Sequence, residues 1–147
     1  MLYFAYGSNM ASAQIGPGPG FVRAARLDGY RLELTRRSIR WQAGVLDIVP
    51  AAGSEVWGAL YELAEDELER IDAKEGAGFA YQRIQVELGG EHAVAYEVIH
   101  KEPREVPPAP EYAALVLAGA RERGLPDHWL RELERRLAAP DAGTTEA

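Results

Sequence analysis

The chain has 147 residues, a length that suits one domain of ordinary size, and 47% are hydrophobic, enough for a core and too many for a disordered chain. It has no cysteine, which excludes a disulfide framework, thiolate catalysis and thiolate metal sites, and suits a reducing, cytoplasmic location. The net charge of −7 divides into +3 over residues 1–50 and −10 over residues 51–147, a balance that argues against nucleic-acid binding. The six early arginines (Arg23, Arg26, Arg31, Arg36, Arg37 and Arg40) suit solvated strand faces, or alternatively a rim that draws in an anionic substrate. Residues 1–5 carry no basic leader, and the longest clean apolar run, 113–120, is too short to cross a bilayer.

Residues 2–6, short, aromatic and apolar, predict a buried first strand, broken by Gly7-Ser8-Asn9. A short turn or helix follows, then the loop Gly16-Pro17-Gly18-Pro19-Gly20. Residues 21–27 and 30–35 predict two strands folded about a tight Asp28-Gly29 hairpin, and 44–49 and 55–63 two more. Residues 65–75 predict a helix ending at Gly76, and 81–88 and 92–99 a strand pair about Gly89-Gly90. Four prolines in 102–110 predict an extended arm. Two helices close the pattern, 111–123 with Gly124 after it and 128–137 with Asp127 as its cap. Apolar residues in the last helix can cover the body of the protein or meet a second copy in a homodimer. The expected organisation is a single α+β domain over 1–139 with a frayed tail over 140–147, and the many short strands suggest a barrel-like sheet.

Two places carry a chemical signal. In the 65–75 helix the apolar positions are Leu68 and Ile71; Glu75 falls seven and four residues later, on the same stripe. A carboxylate on an inward face is costly unless paired or working. Burial, the negative helix end and Asp72 one turn back should all raise its proton affinity, which suits a general base. The spacing equally fits a frayed last turn that lets Glu75 reach water. The second place is Tyr6-Gly7-Ser8-Asn9. Gly7 is expected at positive φ, with successive N–H groups forming an anion nest and Ser8 and Asn9 adding donors; an ordinary turn would use the same residues. Ser8 lacks a nucleophile elbow, and His92, His100 and His128 show neither pairing with it nor metal-ligand spacing, so no metal or cofactor is expected.

The pieces together resemble the gamma-glutamylcyclotransferase family. They are Tyr3-Phe4-Ala5-Tyr6-Gly7-Ser8-Asn9, Trp41 with Gly44, Val56-Trp57-Gly58, Ile71-Asp72-x-x-Glu75-Gly76, the Tyr81 strand, Pro108-x-Pro110-x-Tyr112, and Gly119-Ala120-x-x-x-Gly124-Leu125-Pro126, in the family's order over residues 2–137. The resemblance implies a small closed or nearly closed mixed β-barrel with flanking helices. It implies cleavage of a small γ-glutamyl amide by cyclisation to 5-oxoproline, with release of an amine and no cofactor, a step of the glutathione-metabolism kind. Carried over by position, Glu75 is the acid/base, the stretch from Tyr3 through Phe4, Ala5, Tyr6, Gly7 and Ser8 to Asn9 holds the γ-glutamyl group, and Tyr112 lends its hydroxyl. Three rivals remain open at this level: an enzyme for a larger amine, a non-catalytic binding module of the same fold, and a serine amidase using Ser8. Three places depart from the pattern: Ala43-Gly44, where the family often has two glycines, the Gly/Pro-rich link after Asn9, and the polar segment before Trp41 with Arg36, Arg37 and Arg40; they are expected to border the leaving-group side of the pocket and leave the amine unassigned.

Overall fold

The computed structural model describes residues 1–138. Its elements are β1 (Leu2–Ala5), a 3-10 turn (Ser8–Met10), α1 (Ser12–Ile15), β2 (Gly20–Ser38), β3 (Ala43–Glu62), α2 (Glu65–Glu75), β4 (Tyr81–Leu88), β5 (Glu91–Val98), α3 (Pro110–Glu122) and α4 (Asp127–Leu137). The α+β class is as expected: one five-stranded mixed sheet runs in the order β2-β3-β1-β5-β4, and only β1 and β5 are parallel. Closure into a barrel is not seen: among the described residues no ladder joins β2 to β4. The proline arm lies along β2 instead. Glu102 and Val106 donate their N–H groups to the carbonyls of Thr35 and Leu34 at 2.6 and 2.9 Å, which satisfies part of the open edge. The expected tail over 140–147 lies outside the described residues.

Asp28-Gly29 is not a hairpin turn. Arg23 to Asp28 pairs with Leu60 to Glu55 of β3, and Tyr30 to Ser38 pairs with Pro50 to Ala43, so β2 continues through the step. Residues 51–54 of β3 lie opposite Gly29 alone, which takes φ +86°, and the step is a bulge in one long bent ribbon. A turn signal in the sequence cannot say whether its flanks pair with each other or with a third segment. Here the interruption in β2 faces the Pro50 and Gly53 interruption in β3. The true reversal is at residues 39–42, where Gln42 takes φ +56°.

The 65–75 helix ends as read, with Gly76 in the left-handed conformation and Leu68 and Ile71 buried. The apolar face of α4 covers the chain's own core through Trp129, Leu133 and Leu137, the first of the two options for it. Pro126 takes the cap position of that helix and Asp127 lies in its first turn, one place later than expected. Asp47 on β3 is fully buried and gave no signal in the sequence. Its carboxylate accepts from Thr35 Oγ1 at 2.8 Å, Ile48 N at 2.9 Å and Val98 N at 3.0 Å, and meets Lys101 Nζ at 3.2 Å. This satisfied ion ties β3 to the end of β5, since a buried charge persists only when paired and hydrogen-bonded.

Candidate active site

Strand pairing decides where Glu75 goes. β3 runs antiparallel to β1 with Glu62 opposite Leu2, so the chain leaves β3 beside the start of β1. The 11 residues of α2 then return along it. At ~1.5 Å per residue the helix travels about 16 Å, close to the roughly 17 Å from Leu2 to Gly7 at ~3.4 Å per strand residue. The last turn of α2 therefore stands beside the Gly7 loop, and Lys74 Nζ spans the gap to Asn9 Oδ1 at 2.8 Å and Gln14 O at 2.9 Å.

Between them is a cavity of about 290 Å³ lined by Tyr3, Tyr6, Gly7, Ser8, Asn9, Glu75, Tyr81, Tyr96 and Tyr112, with Arg36, Ile39, Arg40, Trp41 and Phe79 also contributing. That volume is at the small end of the ~300–1,000 Å³ usual for small-molecule sites. Its charged lining is Arg36, Arg40, Lys74 and Glu75, three cations against one acid.

Glu75 is half-buried, and burial pushes its pKa above the ordinary carboxylate value, opposed by the charges of Lys74 and Arg40. Asp72 is not a cause of that shift. Its carboxylate is held by Arg83 at 2.5–3.1 Å and by the Tyr96 hydroxyl at 2.5 Å, and these bonds, chiefly those from Arg83, lower its own pKa. The two acids one turn apart are thus separated: Asp72 stays an anion in an ion pair, while Glu75 remains without a hydrogen-bond partner among the described residues. Such a split suits one group to proton transfer and the other to structure.

Two phenols flank Glu75. Tyr3 accepts from Asn9 Nδ2 at 3.0 Å, and Tyr112 accepts from the Leu46 N–H at 2.9 Å. Each oxygen is engaged as an acceptor, and neither O–H proton is committed to another group among the described residues. Burial first, with the Glu75 charge adding to it, raises both phenol pKa values, so both stay protonated donors. The Gly7, Ser8 and Asn9 N–H groups, which open the 3-10 turn, find no acceptor among the described residues.

The structure gathers most, not all, of the residues singled out in the sequence. Tyr3, Tyr6, Gly7, Ser8, Asn9, Glu75 and Tyr112 line the cavity; Phe4 and Ala5 do not. Strand alternation sends Phe4 to the other face, where its ring lies against Gly58. Gly7 has φ −118°, so positive φ is not why glycine stands there. A Cβ would lie 3.3 Å from Tyr112 Oη, a tight approach that disfavours a side chain there. The Asn9 side chain is engaged with Tyr3 and Lys74 rather than free for a ligand. None of the histidines lines the cavity, so Ser8 has no imidazole beside it. Sequence reading missed Lys74, Tyr81 and Tyr96 as lining residues. Lys74 is adjacent to Glu75 and was legible as a neighbouring charge, whereas Tyr96 arrives only through the parallel β1–β5 pairing.

Among the described residues no group of three His, Cys, Asp or Glu side chains is placed to hold a metal ion. Among the same residues no helix is long and apolar enough to cross a membrane.

The family model described as "Gamma-glutamyl cyclotransferase, AIG2-like" matches residues 3–114. A gamma-glutamylcyclotransferase of Bos taurus is 31% identical over 145 residues, 90% of this chain and 76% of the bovine protein. That of Homo sapiens is 30% identical over 144 residues, 90% of this chain and 77% of the human one. A solved structure described as gamma-glutamyl cyclotransferase superposes with a TM-score of 0.82 at 28% identity, covering 97% of this chain and 89% of that one.

Proposed function

The chain belongs to the gamma-glutamyl cyclotransferase, AIG2-like family and is an enzyme of that family, and on this premise we propose that it cyclises a γ-glutamyl amide to 5-oxoproline with Glu75 as the proton shuttle. One observation carries the reading: a half-buried carboxylate, without a hydrogen-bond partner among the described residues, lines a cavity whose other charged side chains are cationic, with two phenols whose protons are uncommitted among those residues.

In the proposed reaction the substrate's α-nitrogen attacks its own γ-carbonyl. A new C–N bond closes the lactam and the C–N bond to the leaving amine breaks. Glu75 accepts the proton from the α-nitrogen and delivers it to the departing nitrogen, so no water or redox partner enters the balance. Both reacting atoms are in one molecule, and the cavity's task is to hold a folded conformer; intramolecular reactions of good geometry reach effective molarities on the order of 10⁵ M or more. Tyr3 and Tyr112 are the donors for the oxygen that gains charge, and the Gly7–Asn9 amides together with Lys74 favour the α-carboxylate.

Incubation of the protein with γ-glutamyl-alanine and separation of the products tests this. Stoichiometric 5-oxoproline and alanine are expected. Glutamate as the product would replace cyclisation by hydrolysis, and no turnover of any γ-glutamyl amide would reject the activity.

A further inference from the structure

Five large hydrophobic side chains are exposed among the described residues; Met1, Phe21 and Val22 are 39–46% exposed, while Ile39 and Phe79 reach 77% each. Those two, and none of the other three, line the Glu75 cavity. Neither sits on a loose loop. Ile39 is in the β2–β3 reversal, where Gln42 N–H bonds Ser38 O at 2.8 Å and the Gln42 side-chain amide bonds Ile39 O at 2.6 Å. The cost of this turn is a non-glycine residue, Gln42, at positive φ. Phe79 sits four residues past Glu75 in a turn fixed by Phe79 N–H to Gly76 O at 3.0 Å and Ala80 N–H to Gly76 O at 2.8 Å. Two fixed turns thus hold apolar side chains in water at the open end of the cavity, kept from collapsing onto the core.

Resting on the cyclotransferase reading, we infer that Ile39 and Phe79 are specificity-determining residues that clamp an apolar side chain on the leaving amine, so that the preferred substrate is the γ-glutamyl conjugate of a hydrophobic α-amino acid. Charge favours a second carboxylate on this occupant. Arg36, Arg40 and Lys74 exceed Glu75 by two positive charges. Neither arginine has a carboxylate partner among the described residues; Arg40 lies 5.1 Å over the Trp41 ring. With the substrate's α-ammonium set against Glu75, the γ-glutamyl α-carboxylate answers one of the three cations and a carboxylate on the leaving amino acid answers a second. A tenfold effect in kcat/KM, ~1.4 kcal/mol, requires covering roughly 55 Å² of apolar surface at ~25 cal/mol/Å².

The test compares γ-glutamyl-phenylalanine, γ-glutamyl-alanine and γ-glutamyl-phenethylamine, scored for 5-oxoproline, in the wild type, Phe79→Ala, Ile39→Ala and Phe79→Leu. The wild type is expected to favour the phenylalanine conjugate over the alanine one by about tenfold. That ratio should fall to about twofold in either alanine variant and stay near its original value in Phe79→Leu. The phenethylamine conjugate, which lacks the carboxylate, should turn over more slowly than the phenylalanine one. Equal rates on the two amino-acid conjugates, or a ratio unmoved by both alanine variants, would overturn the clamp. An unmoved ratio with an altered oligomeric state on sedimentation would assign the patch to a second copy. Cyclic product from no substrate would overturn the parent activity itself, which separates the two failures.

Discussion

Replacing Glu75 by glutamine keeps the shape and removes the titrating proton. If Glu75 is the shuttle, kcat/KM should fall by roughly 10²–10⁴-fold, the usual contribution of positioned proton transfer, equivalent to about 2.7–5.4 kcal/mol of transition-state stabilisation. The fold should not suffer, because the carboxylate has no hydrogen-bond partner among the described residues and the substitution breaks no contact of that kind. Stability should in fact move the other way. Burial holds the folded-state pKa of Glu75 above its unfolded value, so the folded protein binds more protons between those two values. The stability contributed by this group is complete below the unfolded value and is lost as pH rises through the folded one. Glutamine mimics the protonated form at every pH. The variant should therefore match the wild type at acid pH and melt slightly higher at pH 8. The assays are 5-oxoproline release, calorimetric titration with a γ-glutamyl peptide, and melting curves at pH 4 and pH 8. Turnover within threefold of the wild type would refute the shuttle; a lower melting temperature at pH 8 would refute the electrostatic account of the site.

Tyr112→Phe strands the buried Leu46 N–H, which should cost about 1–3 kcal/mol and lower Tm by roughly 2–12 °C, with a further loss in kcat if the hydroxyl serves the reaction; melting and steady-state kinetics separate the two effects. Removing the Lys74 charge (Lys74→Gln) deletes a cation that lowers the Glu75 proton affinity, so the rising limb of the kcat/KM–pH profile should move to higher pH. A profile that stays in place would show that Lys74 does not tune Glu75 and acts through its contacts instead. Asp47→Ala breaks a fully buried, four-partner carboxylate site and should destabilise by about 3–5 kcal/mol, read as a large fall in the denaturant midpoint, whereas an unchanged midpoint would mean that the site is not structural.

Elements governed by local rules were legible before any coordinates. The span of α2, its stop at Gly76 and the inward stripe of Leu68, Ile71 and Glu75 follow from a period of 3.6 and a left-handed cap, and the Tyr81 strand, its Gly89-Gly90 turn and the proline arm follow from pattern and turn chemistry. Of the nine residues the family motifs singled out, seven meet at the cavity. What the chain could not show locally was pairing: whether Asp28-Gly29 turns a hairpin or bulges a ribbon, whether the sheet closes, and which face of β1 Phe4 takes. Those depend on which distant segment supplies the next row of hydrogen bonds. The charge state of the site has the same origin. Asp72 and Glu75 are three residues apart and chemically alike, and they differ because β4 and β5 bring Arg83 and Tyr96 to the one and leave the other facing the cavity.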